Sequence, residues 1–554
     1  MNDKIRIFCV NTQTHHSFPI GISLREISKQ IDTGTTCQVI SARVNCVNEG
    51  LNFRLYNSKD IEFITLCDPA GMRTYIRSLT FILYKAIKDL YPEGELTVEH
   101  PVSKGMFCRI VIDGKPIEHT HMGAIKKRMR EIVDADIPFV RKEARNEEAA
   151  AMFEEMGCRD KVLLLKTSQD LYSIYYTLDK LPDVYYGSLV PSTGYVKVFD
   201  LIQISNGILL IPPKKDNPEV TETPVMQSKL LKSFDDQNQF NKVIRLSNVG
   251  QLNSAVQRGL ASKIIKLSEA LQERKIIEIA DAIATRKGAR VVLISGPSSS
   301  GKTTFTKRLE VQLWANLRLP VALSMDDYYV NRVNSPRDEK GEHDYESLHA
   351  IDIHQFNTDV EKLLNGEEVM MPTYNFTKGE REYKGNKIRL APEELLIIEG
   401  IHALNPAILD TIPDEKKFKV YASALTTISL DNHNYIPTTD NRLLRRIVRD
   451  YKYRAHSAKD TIARWASVRR GEDKWIFPYQ ENADMMFNSA MIYELAVLKR
   501  HAEPILQEVP RNCPEYAEAA RLLRFLRYIS PIYDEELPPT SLLREFFGGS
   551  SFRY

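Results

Sequence analysis

The chain has 554 residues, which is enough for three or four domains that each bury their own core. Its 43% hydrophobic and 27% charged residues are ordinary for a soluble globular protein, and its net charge of +2 gives no global reason to expect binding to nucleic acid or membrane. The N-terminus lacks the apolar core of a signal peptide, and no apolar run approaches membrane-spanning length. The seven scattered cysteines form no C-x-x-C pair, so we expect a cytoplasmic protein with reduced thiols and neither a disulfide framework nor a zinc site.

The first 64 residues have the pattern of a small β-rich domain. Strands are predicted over residues 5–10 and 39–47, where apolar and β-branched residues recur. A short helix is predicted after Ser23, because a serine followed three residues later by Glu26 matches a capping box. We therefore expect a compact domain built mainly from strands.

Residues 65–225 have the pattern of a second, mixed α+β domain. A helix is predicted over residues 71–90 and a strand over residues 106–112, and residues 122–133 form a basic amphipathic helix. A cluster of prolines and charged residues at 212–218 predicts a domain edge.

Three further segments complete the predicted organisation. Residues 226–288 have helical spacing throughout and predict a helical connector. Residues 289–500 alternate strands with helices, as an α/β domain does. Residues 501–554 predict a helical extension that ends in a proline-containing tail. The predicted fold class is α/β multidomain, with a parallel sheet flanked by helices in the C-terminal domain.

A phosphate-binding loop begins the α/β domain. The motif G-x-x-x-x-G-K-[ST] is matched by Gly296-Pro297-Ser298-Ser299-Ser300-Gly301-Lys302-Thr303, which is followed by Thr304. A β-branched run at 290–294 precedes it and a helical pattern over residues 303–319 follows it, so strand, loop and helix start come in the required order. The backbone N–H groups at a helix start attract phosphate. Lys302 would reach the β- and γ-phosphates, and the Thr303 hydroxyl would ligate Mg²⁺.

Two further strands end in acidic residues. The strand predicted over residues 320–325 leads into Asp326 and Asp327, and the strand over residues 395–398 leads into Glu399. Open α/β sheets bind ligands at the carboxyl ends of their strands. Asp326 could accept the proton of an attacking hydroxyl, and Glu399 could help to hold Mg²⁺. A helix-capping or solvated acid pair is the alternative interpretation of residues 326–327.

Four arginines share one predicted helix face, since they are spaced at i, i+3, i+4 and i+7: Arg442, Arg445, Arg446 and Arg449. Cations this close repel one another unless an anion or an acidic partner joins them. A triphosphate undergoing transfer is one such anion, and a solvated basic face paired with nearby acids is the alternative.

These motifs together resemble the uridine kinase/phosphoribulokinase family of P-loop small-molecule kinases. The resemblance depends on residues 296–304, 324–329, 344–346, 372–374, 398–401 and 440–450. It implies ATP and Mg²⁺ as cofactors, and it implies that Asp326 is the base toward a nucleoside 5′-hydroxyl. It also implies that Tyr329, Glu346 and Tyr374 hold the nucleoside. The Arg442 helix resembles the lid that closes over the phosphates, with Arg442 and Arg445 best placed.

The acceptor is less closely defined than the reaction. Many uridine kinases have a histidine a few residues after the tyrosine that corresponds to Tyr374, and residues 374–380 contain none. Uridine or cytidine is therefore the default acceptor, and another sugar or hydroxylated metabolite is the alternative. A different class of protein, an RNA-associated regulatory ATPase, would not need the acceptor-side residues. A homo-oligomer is compatible with this organisation.

The N-terminal half resembles parts of threonyl-tRNA synthetases. Residues 1–64 are similar to their small β-grasp-like TGS domain, and residues 65–225 are similar to their second, editing domain. That editing centre uses an H-x-x-x-H pair with a further cysteine and histidine, whereas residues 71–77 and 185–191 contain neither residue type. The resemblance thus implies a degenerate domain without zinc or editing activity. The basic helix at 126–130 could touch RNA, as its relatives do, or could be a solvated face.

Overall fold

The computed structural model describes residues 4–338 and 341–553. The first domain consists of β1 (Lys4–Cys9), β2 (Thr14–Pro19), α1 (Leu24–Ser28), β3 (Val39–Val44), β4 (Val47–Gly50) and β5 (Lys59–Thr65). Its sheet has the order β2-β1-β5-β3-β4, in which β1 and β5 run parallel and the other pairs are antiparallel. The capping box predicted for α1 is confirmed, because Ser23 and Glu26 exchange hydrogen bonds.

The strand predicted over residues 39–47 is instead a hairpin of two strands. Asn45 and Cys46 both have positive φ angles, of 48° and 61°, and they form the two-residue turn between β3 and β4. A turn with positive φ at both central residues matches the twist of a hairpin, and asparagine is favoured in it. The chain therefore reverses where the apolar pattern alone suggests continuation.

The expectation that all cysteines are reduced is wrong for one pair. Cys37 and Cys67 form a disulfide, with their Cα atoms 6.5 Å apart. The register explains their approach, because Val39 at the start of β3 pairs with Thr65 at the end of β5. The two cysteines thus lie beyond adjacent strand ends although 30 positions separate them in sequence.

The second domain has two antiparallel sheets beside a long buried helix. Its elements are α2 (Pro69–Leu90), β6 (Glu95–Val102), β7 (Gly105–Ile112), β8 (Lys115–Pro116), α3 (His119–Asp134), β9 (Phe139–Arg145), α4 (Asn146–Glu155), α5 (Arg159–Thr167), β10 (Tyr172–Leu178), β11 (Leu181–Asp183), β12 (Asp200–Ile204) and β13 (Gly207–Ile211). One sheet has the order β12-β13-β7-β6, with β8 added to β7, and the other has the order β11-β10-β9. Apolar residues along α2 fill the core between them.

The connector is helical, as predicted, but its helices do not simply separate two domains. They belong to the hydrophobic core that they share with the C-terminal domain. It consists of α6 (Ser228–Val243), α7 (Val249–Gln257) and α8 (Ala261–Thr285). Leu164 of α5, Val249 of α7 and Ile276 of α8 belong to one buried cluster that also contains Phe305 and Val420 of the C-terminal domain. The two halves of the chain are thus joined by continuous apolar packing.

The C-terminal region is an α/β domain. Its elements are β14 (Val291–Ser295), α9 (Lys302–Ala315), β15 (Leu319–Ser324), α10 (Ile353–Leu364), β16 (Glu368–Met370), β17 (Thr373–Asn375), β18 (Glu380–Glu382), β19 (Lys387–Arg389), β20 (Glu394–Glu399), β21 (Lys417–Ser423), β22 (Ser429–Asp431), β23 (Asn434–Tyr435), α11 (Thr438–Tyr453), α12 (Ala458–Trp475), β24 (Met485–Asn488), α13 (Glu494–Gln507), α14 (Tyr516–Leu526) and α15 (Arg544–Phe547).

The expectation of a parallel sheet flanked by helices is confirmed. The strand order is β15-β20-β14-β21-β24 and every pair is parallel. Every residue of β14 is buried, as expected for the central strand of a covered sheet. Because the strands are parallel, their carboxyl ends meet at one edge, where such sheets bind ligands. None of the helices in the described part of the chain is long and apolar enough to cross a membrane.

Candidate functional site

A cleft of about 1630 Å³ lies at the carboxyl ends of the parallel strands. The pairing register places Ile294 of β14 and Ser324 of β15 on either side of Glu399 in β20. The phosphate loop, Asp326 and Glu399 therefore reach the same edge and line the same cleft. The three strand-end motifs predicted separately thus form one site.

The phosphate loop requires glycine at its two motif positions. A Cβ atom on Gly296 would lie 1.9 Å from the carbonyl oxygen of Ala422 on the neighbouring strand. Gly301 has a φ of 80°, and a Cβ atom there would lie 2.5 Å from Leu542. A side chain at the first position would push the loop away from the sheet, and one at the second would strain the start of α9.

Lys302 is folded back onto its own loop. Its ammonium group donates hydrogen bonds to the carbonyl oxygens of Gly296 at 2.8 Å and Pro297 at 3.2 Å. Burial lowers the pKa of Lys302, although the surrounding carboxylates, above all Glu399 and Asp326, oppose the shift. An anion placed above the loop would give this cation the partner that favours its charged form.

The residues predicted to hold Mg²⁺ lie in direct contact. The Thr303 hydroxyl donates to the two carboxylate oxygens of Glu399 at 3.1 and 3.2 Å. Burial raises the pKa of Glu399 to about 7, with Lys302 opposing that shift and Asp326 adding to it. A hydroxyl and a carboxylate are oxygen ligands of the kind that Mg²⁺ prefers, so the residues present fit this cation.

The predicted acceptor residues lie together in the cleft. Asp326, Tyr329, Glu346 and Tyr374 all line it, and the rings of Tyr329 and Tyr374 are 5.6 Å apart. The adjacent acid has a different role, because Asp327 accepts a hydrogen bond from the backbone N–H of Tyr374 at 3.1 Å and so ties β17 to the end of β15. The carboxylate of Asp326, by contrast, accepts no hydrogen bond from residues 4–338 and 341–553. Its backbone N–H donates to the Ser324 hydroxyl at 3.3 Å.

Phe376 completes an aromatic wall that the sequence analysis missed. Its ring lies 5.1 Å from that of Tyr374 and 6.4 Å from that of Tyr329. The available signal was an aromatic residue two positions after Tyr374, just beyond the end of β17, since residues two apart in extended chain share a face. Three rings on one side of a cleft suit a flat, uncharged group.

The buried carboxyl of Glu346 lies opposite Arg446. Burial raises the pKa of Glu346 to about 7, and Arg446, whose Nη1 atom is 4.0 Å away, opposes that shift. Near neutral pH this group is therefore divided between its acid and carboxylate forms.

Two of the four arginines selected from the sequence, Arg442 and Arg445, are not in the cleft. Arg442 is buried and donates to both oxygens of Glu472, at 2.5 and 2.6 Å. Arg445 is buried against Glu494, with one contact at 2.8 Å, and touches the phosphate loop only through the carbonyl oxygen of Ser299. Because α11 packs against α12 and α13, this face of the helix points inward. The prediction that Arg442 and Arg445 act on the phosphates is therefore corrected: both form buried structural ion pairs, with Glu472 and Glu494.

The arginines that do reach the cleft are their neighbours on the same helix. Arg446 donates to the hydroxyl of Ser298 in the phosphate loop at 2.8 Å, and Arg449 pairs with Asp450 at 2.9 Å. Arg454, which follows α11, also lines the cleft. Rotation of about 100° per residue separates Arg446 from Arg445, which explains why adjacent arginines have opposite environments.

The C-terminal segment supplies a wall of the cleft that the sequence analysis treated as a tail. Glu545 accepts hydrogen bonds from the Thr304 backbone N–H at 3.3 Å and from its hydroxyl at 2.6 Å. Gly549, Phe552 and Arg553 also line the cleft. The segment is held by four buried apolar side chains, those of Leu542, Leu543, Phe546 and Phe547. Four such residues within six positions were a signal of a docked segment.

The N-terminal half retains no histidine in the helix that resembles the editing centre, since α2 contains none. Across residues 4–338 and 341–553, no three or more His, Cys, Asp or Glu side chains are grouped as metal ligands would be.

The geometry defines a P-loop nucleotide-binding domain with an acceptor cleft beside the phosphate loop. Residues 291–495 match the model of the Phosphoribulokinase / Uridine kinase family. The match covers a little over a third of the chain.

Solved structures similar to this chain include a possible uridine kinase from Bacillus stearothermophilus, at 18% identity and a TM-score of 0.26 over 39% of this chain and 98% of that one. D-glycerate 3-kinase from Cryptococcus neoformans var. grubii is 12% identical, with a TM-score of 0.27 over 38% of this chain and 89% of that one.

The N-terminal half is similar to threonine–tRNA ligases. The ligase of Symbiobacterium thermophilum is 32% identical over 189 residues, which cover 34% of this chain and 29% of the ligase. The ligase of Syntrophotalea carbinolica is 29% identical over 181 residues, or 32% of this chain and 28% of the ligase. The chain thus spans less than a third of the length of these curated relatives.

Proposed function

We propose that this protein is an ATP-dependent kinase that transfers the γ-phosphate to the 5′-hydroxyl of a nucleoside, with uridine or cytidine as the first candidates. The observation that carries the proposal is the position of Asp326. Asp326 lines the same cleft as the phosphate loop and the wall formed by Tyr329, Tyr374 and Phe376, and no described side chain donates a hydrogen bond to its carboxylate. A switch ATPase has no need of such an acceptor pocket.

In the proposed reaction, Asp326 accepts the proton of the acceptor hydroxyl as its oxygen forms a bond to the γ-phosphorus. The bond from that phosphorus to the bridging oxygen breaks, and ADP keeps the electron pair. Lys302 exchanges its loop carbonyl partners for phosphate oxygens. Arg446 and Arg449 neutralise the developing negative charge. Thr303 and Glu399 would hold Mg²⁺, which when bound neutralises phosphate charge and orients the triphosphate.

On the acceptor side, the aromatic wall and Glu346 have different proposed roles. The three rings would stack on the base, and Glu346 would accept hydrogen bonds from the ribose hydroxyls. The segment 374–380 contains no histidine, so base recognition by this cleft depends on other groups.

A panel of nucleosides, sugars and sugar phosphates, with release of ADP as the readout, tests the proposal. We expect turnover with a pyrimidine nucleoside and its loss in Asp326→Asn, with ATP binding retained. Absence of turnover with every nucleoside, in protein that still binds ATP, would contradict it. Phosphorylation of a sugar alone would assign the alternative metabolite kinase.

The similarity to threonine–tRNA ligases favours one second candidate, an ATPase that responds to RNA. Its signature would be hydrolysis of ATP stimulated by tRNA, without any phosphorylated small-molecule product. The same panel with added tRNA separates the two candidates.

A further inference from the structure

A second cavity, of about 100 Å³, lies between the N-terminal half and the kinase domain. One wall belongs to α2 and contributes Arg73, Arg77 and Thr80. The opposite wall comes from the segment that leads into α11, including Asp440 in its first turn, and from Arg521 of α14. The cavity thus brings together charged residues from both halves of the chain.

Two of its three arginines have acidic partners. Arg521 donates to both oxygens of Asp440, at 2.6 and 2.7 Å, and to Glu518 at 2.6 Å. Arg73 donates to Glu518 at 3.2 Å. Two carboxylates therefore serve two guanidinium groups, and neither is left over for a third.

Arg77 is that third guanidinium. No carboxylate lies within 4.0 Å of it in the described ranges 4–338 and 341–553. Its Nε and Nη2 atoms donate to the carbonyl oxygen of Ser188, at 3.2 and 2.9 Å, and Nη2 also donates to the Thr74 hydroxyl. Those contacts fix the side chain through one edge, and among the described residues Nη1 makes no hydrogen bond.

The electrostatic surroundings of Arg77 are unfavourable as they stand. Burial, together with the neighbouring charges of Arg73 and Arg521, lowers the pKa of Arg77 to about 10. Arg77 is partly buried, and a partly buried charge without a counter-ion is destabilising. Guanidinium groups bind planar or tetrahedral oxyanions through paired N–H donors, which is the partner this site lacks.

We propose that this cavity binds a small oxyanion, a phosphate or a carboxylate, which contacts the free edge of Arg77 together with Arg73. The residues come from α2 on one side and from the start of α11 on the other, so the anion would join the two halves. The helix α11 carries Arg446 and Arg449 into the catalytic cleft, so the site adjoins the element that contacts the donor phosphates. This inference is independent of the identity of the acceptor.

The test measures binding of inorganic phosphate to the full chain, with chloride at equal ionic strength as the reference. A non-hydrolysable ATP analogue saturates the catalytic cleft, so phosphate bound at residues 296–303 does not contribute. We expect phosphate to raise the melting temperature of the wild type and to bind by calorimetry. Acetate in parallel distinguishes a carboxylate site from a phosphate site. No effect of either anion would overturn the proposal.

Two substitutions locate the site. Arg77→Gln should weaken phosphate binding at least about tenfold, whereas Arg128→Gln, on an exposed arginine of the same half, should leave it unchanged. Equal weakening in both variants would contradict the proposed location.

Thr80→Glu keeps the test valid if Arg77→Gln fails to fold, because Arg77 also holds Ser188. Thr80 lines the cavity three residues after Arg77 on α2, so a glutamate there supplies the missing carboxylate at i+3. Thr80→Glu should melt higher than the neutral control Thr80→Gln at pH 7 and should no longer respond to phosphate. Its advantage should be lost as the pH falls below about 4, because pairing with Arg77 lowers the pKa of the new carboxyl below its usual value. If Thr80→Glu is no more stable than Thr80→Gln, Arg77 does not need a further counter-ion and the proposal is contradicted.

Discussion

Replacement of Glu545 by glutamine is expected to increase the affinity for ATP. The Glu545 carboxylate accepts hydrogen bonds from the backbone N–H and the hydroxyl of Thr304, at the N-terminus of α9. These donors face the cleft where the phosphates of a nucleotide bind in a P-loop. A bound triphosphate must therefore displace this carboxylate or tolerate its negative charge.

The size of the effect follows from the contact that is lost. A hydrogen bond to a charged group contributes about 1.5–3 kcal/mol, so its removal should lower the dissociation constant of ATP by a factor of roughly 10 to 100. The amide of Glu545→Gln can still accept one hydrogen bond, which favours the lower part of that range. Burial of Leu542 and Phe546 beside the site should keep the segment in place in the variant.

Calorimetric titration with Mg²⁺·ATP at fixed salt measures this directly. The matched control is Glu508→Gln, because Glu508 lies outside the cleft and contacts Tyr451. The control should bind as the wild type does. Unchanged or weaker binding of ATP by Glu545→Gln would refute the reasoning. The Glu545 carboxylate would then have no effect on ATP binding or would favour it.

Three further results are expected. Arg446→Met should lower kcat/KM about 10²- to 10³-fold in the acceptor assay without changing the melting temperature. Arg442→Met should lower the free energy of unfolding by about 1.5–3 kcal/mol in urea titrations, because the buried Glu472 loses its two hydrogen bonds from Arg442 and keeps Arg469 as its cation. The KM for the acceptor should fall between pH 6 and pH 8, as Glu346 ionises around its pKa of about 7, and this slope should be absent in Glu346→Gln. Burial lowers the pKa of His100 to about 3 from its usual 6.5, so the unfolded state takes up the proton first. The stability is therefore complete above pH 6.5 and is lost as the pH falls toward 3; the loss at pH 4.5 should be about 2–3 kcal/mol in the wild type and absent in His100→Phe.

Features governed by local pattern were predictable from the sequence. The phosphate loop between β14 and α9 depends on glycines at fixed spacing. Asp326 and Glu399 depend on parallel strands that end together, and the register of β14, β15 and β20 provides this. Each of these inferences needs only the chain direction and the period of a strand.

The features that were missed depend on contacts between distant segments. Arginines at i, i+3, i+4 and i+7 identify a helix face, but the packing of α12 and α13 decides that Arg445 is buried while Arg446 reaches the cleft. Glu545 hydrogen-bonds to Thr304, which lies 241 positions earlier in the sequence. The sequence around neither residue indicates that the two are in contact. The disulfide between Cys37 and Cys67 likewise follows from the β3–β5 register.

The junction between the halves shows why the N-terminal half cannot be treated as a removable module. Lys161 bridges Asp183 of its own half at 2.9 Å and Asp431 of the C-terminal α/β domain at 3.1 Å, and His433 contacts Asp183 at 2.7 Å. All four groups are buried, and loss of one partner of a buried ion pair typically costs about 3–5 kcal/mol. A fragment that begins near residue 226 would leave Asp431 without its cation and would expose the apolar surface that Leu164 covers. Low activity of such a fragment would therefore report lost stability as readily as lost regulation. Substitutions of Arg77 and Thr80 leave all four members of the buried ion cluster in place, and for that reason they are the cleaner way to ask what the N-terminal half contributes to catalysis.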